Sequence, residues 1–267
     1  MSGFSAQWLA LREPYDVRAR NVAVLDAVAA AFRAQTAIAV VDLACGTGAS
    51  VRAIGPRLPR PQSWRLADND LGLLARAGAL PEPPHRSVAP RAVDLARDLE
   101  LALDGPLDLI TCSALLDLVS AEWLERLVVE AAARRLPVYA ALNYDGRVTL
   151  DPGHSFDPEI VAAVNRHQRR DKGFGPALGP AAAAHAIEKL EQVGYSVVQG
   201  GSDWMLGPDD GAIQNEILAG FAGAARELDE LPAEPIMAWF ARRRELVTDR
   251  RARMLVGHVD FFASPRS

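Results

Sequence analysis

The run VVDLACGTGAS, residues 40 to 50, sets a single acid, Asp42, inside an apolar stretch and follows it with Gly46 and Gly48. An apolar strand that runs into closely spaced glycines and then a helix suits a nucleotide. Glycine lets ligand atoms lie against bare backbone, and the start of a helix offers N–H groups without intrahelical partners. The spacing argues against two common nucleotide loops. The dinucleotide fingerprint G-x-G-x-x-G needs a third glycine where Val51 stands, and no Gly-Lys-Ser/Thr follows to make a phosphate loop. Acids recur at or after later apolar runs: Asp68 closes WRLAD, Asp94 lies in VDLARDL and Asp117 in SALLDLV. A carboxylate at Asp68 can accept both hydroxyls of a ribose.

Taken together, these residues resemble the class I S-adenosylmethionine (SAM)-dependent methyltransferases. Motif I of that family is an apolar strand followed by D/E-x-x-x-G-x-G, and DLACGTG matches it in full. The resemblance is good over about residues 38–145 and looser over 180–200 and 253–263. It implies SAM as cofactor and S-adenosylhomocysteine (SAH) as its spent form. On that resemblance Asp42 organises the loop and the amino end of SAM, while Ala44, Gly46 and Gly48 lie against the cofactor. Asp68, with its neighbour Asn69, falls at the ribose, Asp94 and Leu95 at the adenine, and Ser113 beside the methionine portion. A lone buried carboxylate such as Asp42 is costly without partners of this kind. The D/N-P-P-Y signature of enzymes that methylate DNA amino groups is missing where SALLDL stands, and no metal-ligand cluster is visible, so no metal is expected.

Ligands of open α/β sheets bind outside the carboxyl ends of the strands. The acceptor is therefore expected to meet Ser113 and Asp117 after the fourth strand, and Asn143, Tyr144 and Asp145 after the fifth. NYDG is equally good turn chemistry. On a helix from about residue 157, Ile160, Val164, His167 and Asp171 share one face, which carries His167 and Asp171 toward the cleft mouth. The alternative is a satisfied buried histidine with a carboxylate partner. DKGFGPALGP reads either as a lid whose Phe174 covers the substrate or as a proline-terminated turn. At the front, Trp8, Arg12 and Tyr15, with Asp16 and Arg20, lie on a helical cover over the site, or else on a solvated arginine face anchored by Trp8. A neutral amine or a hydroxyl must lose a proton, so a base is needed. His167 is the first candidate, and Asp171 and Asp145 follow.

These side chains need a frame. Strands are expected near 38–44, 63–68, 86–93, 106–116, 136–146, 195–200 and 253–265. Helices are expected near 5–35 (broken at Pro14), 49–58, 69–80, 120–135, 157–170, 180–193, 209–229 and 234–251. Strand and helix alternate, which means parallel strands with right-handed crossovers. The expected fold is α/β: a Rossmann-like, doubly wound, mostly parallel seven-stranded sheet. It carries an N-terminal helical cover (1–36), a helical insert or lid after the fifth strand (147–180) and extra helices (205–252), all in one domain, 1–267.

Composition narrows the function. The chain has 267 residues, 49% hydrophobic and 24% charged, with a net charge of -5. Such a balance disfavours a nucleic-acid partner, which wants a basic surface. No apolar run is long enough for a membrane span, and no signal peptide is read at the start. Cys45 and Cys112 are too few for a disulfide scaffold, so a reducing, cytoplasmic setting is expected. In the family's sheet their strands are neighbours, so they are either small apolar fillers or a redox-sensitive pair. The expected activity is methyl transfer from SAM to nitrogen or oxygen of a small-molecule acceptor, by a monomer or homodimer. A SAM-binding protein without catalysis and an NAD(P)-dependent oxidoreductase remain as alternatives.

Overall fold

The computed structural model describes residues 4–80 and 83–266. The first residues of the expected cover, and Pro81 and Glu82 of the proline-rich loop, lie outside the described residues. Eight strands form one sheet: β1 (Ile38–Leu43), β2 (Gln62–Asp68), β3 (Arg86–Ala92), β4 (Leu109–Ser113), β5 (Val138–Asp151), β6 (Tyr195–Gly201), β7 (Trp204–Leu206) and β8 (Arg253–Pro265). Their order is β3-β2-β1-β4-β5-β8-β6, with β7 paired to β8. Strands β1 to β5 run parallel, while β8 runs antiparallel to β5, β6 and β7.

The apolar runs are continuous because both faces of the sheet are covered. Successive residues of β1 show it: Ile38 and Val40 point into one core, Val41 and Leu43 into the other. The first core is closed by α2 (Val22–Phe32), α3 (Ala49–Ile54) and α4 (Leu71–Gly78), the second by α6 (Ala121–Ala133) and α8 (Ala182–Gln192), with the short α5 (Leu99–Ala102) beside it. Helix starts follow capping chemistry. Asp70 rather than Asn69 caps α4, its Oδ1 accepting from Gly72 N (2.8 Å) and Leu73 N (3.0 Å). Ser120 Oγ accepts from Trp123 N at the start of α6 (3.2 Å).

Three expectations need correction. Pro14 does not divide the first helix: α1 runs Ala6–Ala19 through it, and the Arg12–Asp16 ion pair spans it (2.9 Å). The chain breaks instead before Asn21, whose side chain caps α2 by accepting from Val24 N (3.2 Å). The turn read at NYDG is an irregularity inside a longer strand: Gly146 takes φ +87°, the register shifts between Tyr144 and Val148, and β5 continues to Asp151 opposite Arg253. The sheet has eight strands rather than seven, because Trp204–Leu206 pairs with Val256–Met254.

The outer halves of β5 and β8, with β7, therefore form an antiparallel ledge. Helices α7 (Asp157–His167), α9 (Gly211–Leu228) and α10 (Ala233–Thr248) pack with it around a third core that holds Leu150, Ile160, Trp204, Ile213, Trp239 and Met254. Trp239 Nε1 donates to Asp157 Oδ1 (2.8 Å), and buried Arg243 pairs with the same carboxylate. Trp8, Leu11 and Tyr15 bring α1 against this cap. Among the described residues, no helix is long and apolar enough to cross a membrane.

Candidate functional site

The glycine loop leaves β1 through three residues at positive φ: Ala44 (51°), Gly46 (54°) and Gly48 (80°). A side chain at Gly48 would meet Leu80 Cδ1 at 2.6 Å, and one at Gly46 would meet Leu9 Cδ1 of α1 at 3.1 Å. Backbone conformation and space thus both call for glycine here. Asp68, at the tip of β2, holds the loop: its Oδ2 accepts from Gly46 N (2.9 Å) and its Oδ1 from Asp70 N (3.0 Å). Each carboxylate oxygen keeps a further lone pair.

Asp42 is 1% exposed, and apart from the neighbouring Ser50 hydroxyl its carboxylate has no donor. Burial pushes its pKa up to about 7. The Ser50 hydroxyl and the Arg20 and Arg52 guanidiniums pull the other way, and Asp68 adds to the rise. A buried acceptor left without a donor is expensive. An oxygen pair of this kind, beside glycines at positive φ, fits a ligand that brings donors.

Helix α1 closes over the loop. Glu13 pairs with Arg52 of α3 (2.8 Å from Nη2 to Oε2), and Arg52 Nη1 donates to Thr47 O (2.8 Å). Arg20, at the end of α1, is buried. It donates to Tyr139 Oη (2.9 Å) and Ser113 Oγ (3.4 Å), while its Nε has no partner. On the far side, Asp94 accepts from Ala96 N (3.1 Å), Leu95 is buried, and Leu95 O accepts from Trp123 Nε1 (2.6 Å). Asn69 is exposed.

A second cluster sits where α1, the β4 and β5 tips and the ledge meet. Arg12 forks onto Asp16 (2.9 and 3.2 Å) with its Cζ 5.0 Å from the Trp204 ring centroid, and Trp204 Nε1 donates to Asp16 Oδ1 (3.0 Å). Trp8 meets Trp204 edge-on, His258 lies 5.0 Å from Trp204, and Tyr144 lies 6.2 Å from His258. Burial and the nearby Arg12 guanidinium lower the His258 pKa to about 3, so its ring is neutral. Asp117 is 5% exposed and its Oδ1 has no partner; burial raises its pKa to about 6, against the pull of Arg12 and Lys172. Asn143 donates to Val259 O (2.8 Å) and leaves its own Oδ1 unpaired.

The expected base candidates lie elsewhere or are occupied. Asp145 is taken by Arg147, from its N (2.9 Å), Nε (2.8 Å) and Nη2 (2.6 Å). Asp171 is not on the helix face, because α7 stops at His167. It is exposed and accepts from Gly173 N (2.6 Å) and Gly175 N (3.1 Å), which is turn chemistry. His167 bridges Glu227 (2.9 Å) and Lys172 (3.3 Å). Phe174 packs edge-on against Trp123 at 5.5 Å, and Leu178 N donates to Val119 O, so this segment is tied down at both places. Tyr15 stacks under Arg18 at 4.6 Å, and the Tyr144 hydroxyl donates to Asn165 (2.7 Å). Cys45 and Cys112 are free, buried in opposite cores and raised in pKa by burial, as apolar fillers are.

Sequence reading did not single out Lys172, Trp204 or His258 as site residues, and it placed Arg20 on the helical cover without a role of its own. Nothing local to Trp204 or His258 announces that a short strand pairing brings them to the cleft. No group of three or more potential metal ligands occurs among the described residues.

No family model matches the chain, and no curated protein does. Among solved structures, the YcgJ protein of Bacillus subtilis is 13% identical, with 92% of this chain and 100% of that one covered and a TM-score of 0.52. A candidate methyltransferase of Bacillus halodurans is 14% identical, covering 91% of this chain and 100% of its own, with a TM-score of 0.51. At such identities the likeness speaks for architecture, and strand order, antiparallel β8 and glycine turn agree with it: the chain has the Rossmann-like fold of class I methyltransferases.

Proposed function

We propose that the protein binds SAM at the tips of β1, β2 and β4 and transfers a methyl group to nitrogen or oxygen of a small-molecule acceptor. The observation that carries this reading is the buried Asp42 carboxylate beside Gly46 and Gly48, which has no donor besides the Ser50 hydroxyl. In this reading Asp42, Ala44, Gly46 and Gly48 hold the amino end, with Ser113 and Arg20 close by. Asp68 and Asn69 serve the ribose, and Asp94 and Leu95 the adenine. When bound, SAM supplies a methyl group already activated by a sulfonium.

The chain's own task is then alignment and exclusion of water, and alignment alone is worth roughly 7–11 kcal/mol. Helix α1 and the cap supply the cover, with Trp8, Arg12, Tyr15, Asn143 and Tyr144 as acceptor-side candidates, whereas Phe174 packs on Trp123. Asp117 is the better proton acceptor. It has a buried oxygen without a partner and a pKa raised by burial to about 6, whereas His167 is bridged and Asp145 and Asp171 are occupied.

Titration calorimetry tests the reading. SAH is expected to bind at micromolar level, NAD is expected not to bind, and Asp68→Ala should weaken SAH by at least about tenfold, or 1.4 kcal/mol. Absence of affinity for SAM and SAH at millimolar concentration overturns it.

A further inference from the structure

At the tips of β4 and β5 two buried acceptor oxygens lack donors. Asp117 Oδ1 and Asn143 Oδ1 are both buried acceptors without partners, on residues 5% and 0% exposed. They belong to adjoining elements: Asp117 follows β4, and its carboxylate faces the main-chain N–H of Tyr144, the residue after Asn143. The cations in reach do not fill the need. Arg12 is committed to Asp16, and Lys172 faces His167 and Glu227. Those partners also offset the two positive charges, so a further cation is not repelled outright. Trp8, Trp204, Tyr144 and the neutral His258 ring line the same region. Aromatic faces beside a carboxylate attract an ammonium.

We propose that the acceptor is a primary amine, whose nitrogen donates to Asp117 Oδ1 and Asn143 Oδ1. A primary amine or its ammonium brings two or three N–H donors on one atom, enough for both oxygens, whereas a hydroxyl brings one. A hydroxyl acceptor would leave one buried oxygen unpaired, and sites built to pair a donor discriminate strongly against analogues that lack it. This inference rests on the methyl-transfer reading and narrows it from nitrogen or oxygen to nitrogen.

The experiment uses the full chain loaded with SAH at pH 8 and three matched pairs of probes: benzylamine and benzyl alcohol, phenethylamine and 2-phenylethanol, butylamine and 1-butanol. Calorimetry reads each Kd. In at least one pair the amine is expected to bind at least about tenfold more tightly than the alcohol. Asp117→Asn should remove that preference while leaving SAH affinity within about threefold, which also shows that the variant is folded. Equal or reversed preference in all pairs overturns the proposal. So does failure of every amine to bind at about 50 mM, or a preference that survives Asp117→Asn. The wild-type comparison stands alone if the variant does not fold. Failure of SAH itself to bind is a different result: it removes the methyl-transfer reading, and this inference with it.

Discussion

The loop after β1 and the cap over it are built by different rules. The loop is local: within a dozen residues it has its strand, its acid and its glycines, and its outside tethers are few, notably Asp68 and Arg52. The cap is assembled from distant pieces, with Asp151 of β5 opposite Arg253 of β8, Trp204 of β7 opposite Val256, and Trp239 reaching Asp157. Buried polar atoms without partners occur in both, at Asp42 beside the loop and at Gln214, Asn215 and His258 in the cap. The difference lies in the setting: the loop's stand beside glycines at positive φ, the cap's against an apolar core.

That contrast can be broken by substitution. The largest expected effect is in the cap: Trp239→Ala, at a site 1% exposed, should cost about 3–5 kcal/mol in a denaturant titration. If the loss is below about 1 kcal/mol, the cap is not the self-supporting core described here.

Asp42→Asn should act with the opposite sign. A carboxyl whose folded pKa is raised to about 7 contributes stability below its ordinary value near 4, and that contribution is lost as pH rises through 7. The asparagine variant avoids the buried charge. Without ligand at pH 8 it should be more stable by on the order of a few kcal/mol, while SAH affinity falls. Thermal melts at pH 5 and pH 8 check this; a variant less stable than the parent at pH 8 makes Asp42 a structural acid.

Asp117 gives a smaller, pH-dependent effect. Burial raises its pKa, against its own main-chain N–H, Arg12 from α1, the Tyr144 N–H of β5 and Lys172 from the segment after α7, and places its ionisation near pH 6. Amine affinity should hold above pH 7 and fall by up to about tenfold per pH unit below 6; a flat profile from pH 5 to 8 removes Asp117 from amine recognition. The smallest effect belongs to the half-exposed Glu13–Arg52 pair: Glu13→Gln should cost no more than about 1 kcal/mol, and should speed SAH dissociation in a stopped-flow chase.

The same contrast governs what was legible in the sequence. Parallel strands buried on both faces announce themselves as apolar runs, and DLACGTG carries its conformation in its glycines. Asp68 follows at the end of such a run, whereas Asp94 follows β3, which is largely exposed. The ledge did not show. WML is three residues long and is a strand only because β8 offers an edge. NYDG has the composition of a turn, yet pairing on both sides of Gly146 keeps the chain extended. Pro14 signals a break that the packing of α1 overrides. His167 and Asp171 looked aligned on a helix that ends sooner than its pattern suggests, and Trp204 and His258 meet only through the finished sheet.

The clasp between the first helix and the glycine loop also bears on handling the protein. Leu9 rests on Gly46 and Glu13 grips Arg52, so the first helix forms one wall of the glycine loop. Trimming residues ahead of Asn21, or crowding them with a bulky fusion, would strip that wall while leaving the sheet intact. A preparation altered there would also lose Arg12, Asp16 and Trp8 from against Trp204, so it would melt early as well as loosen the loop.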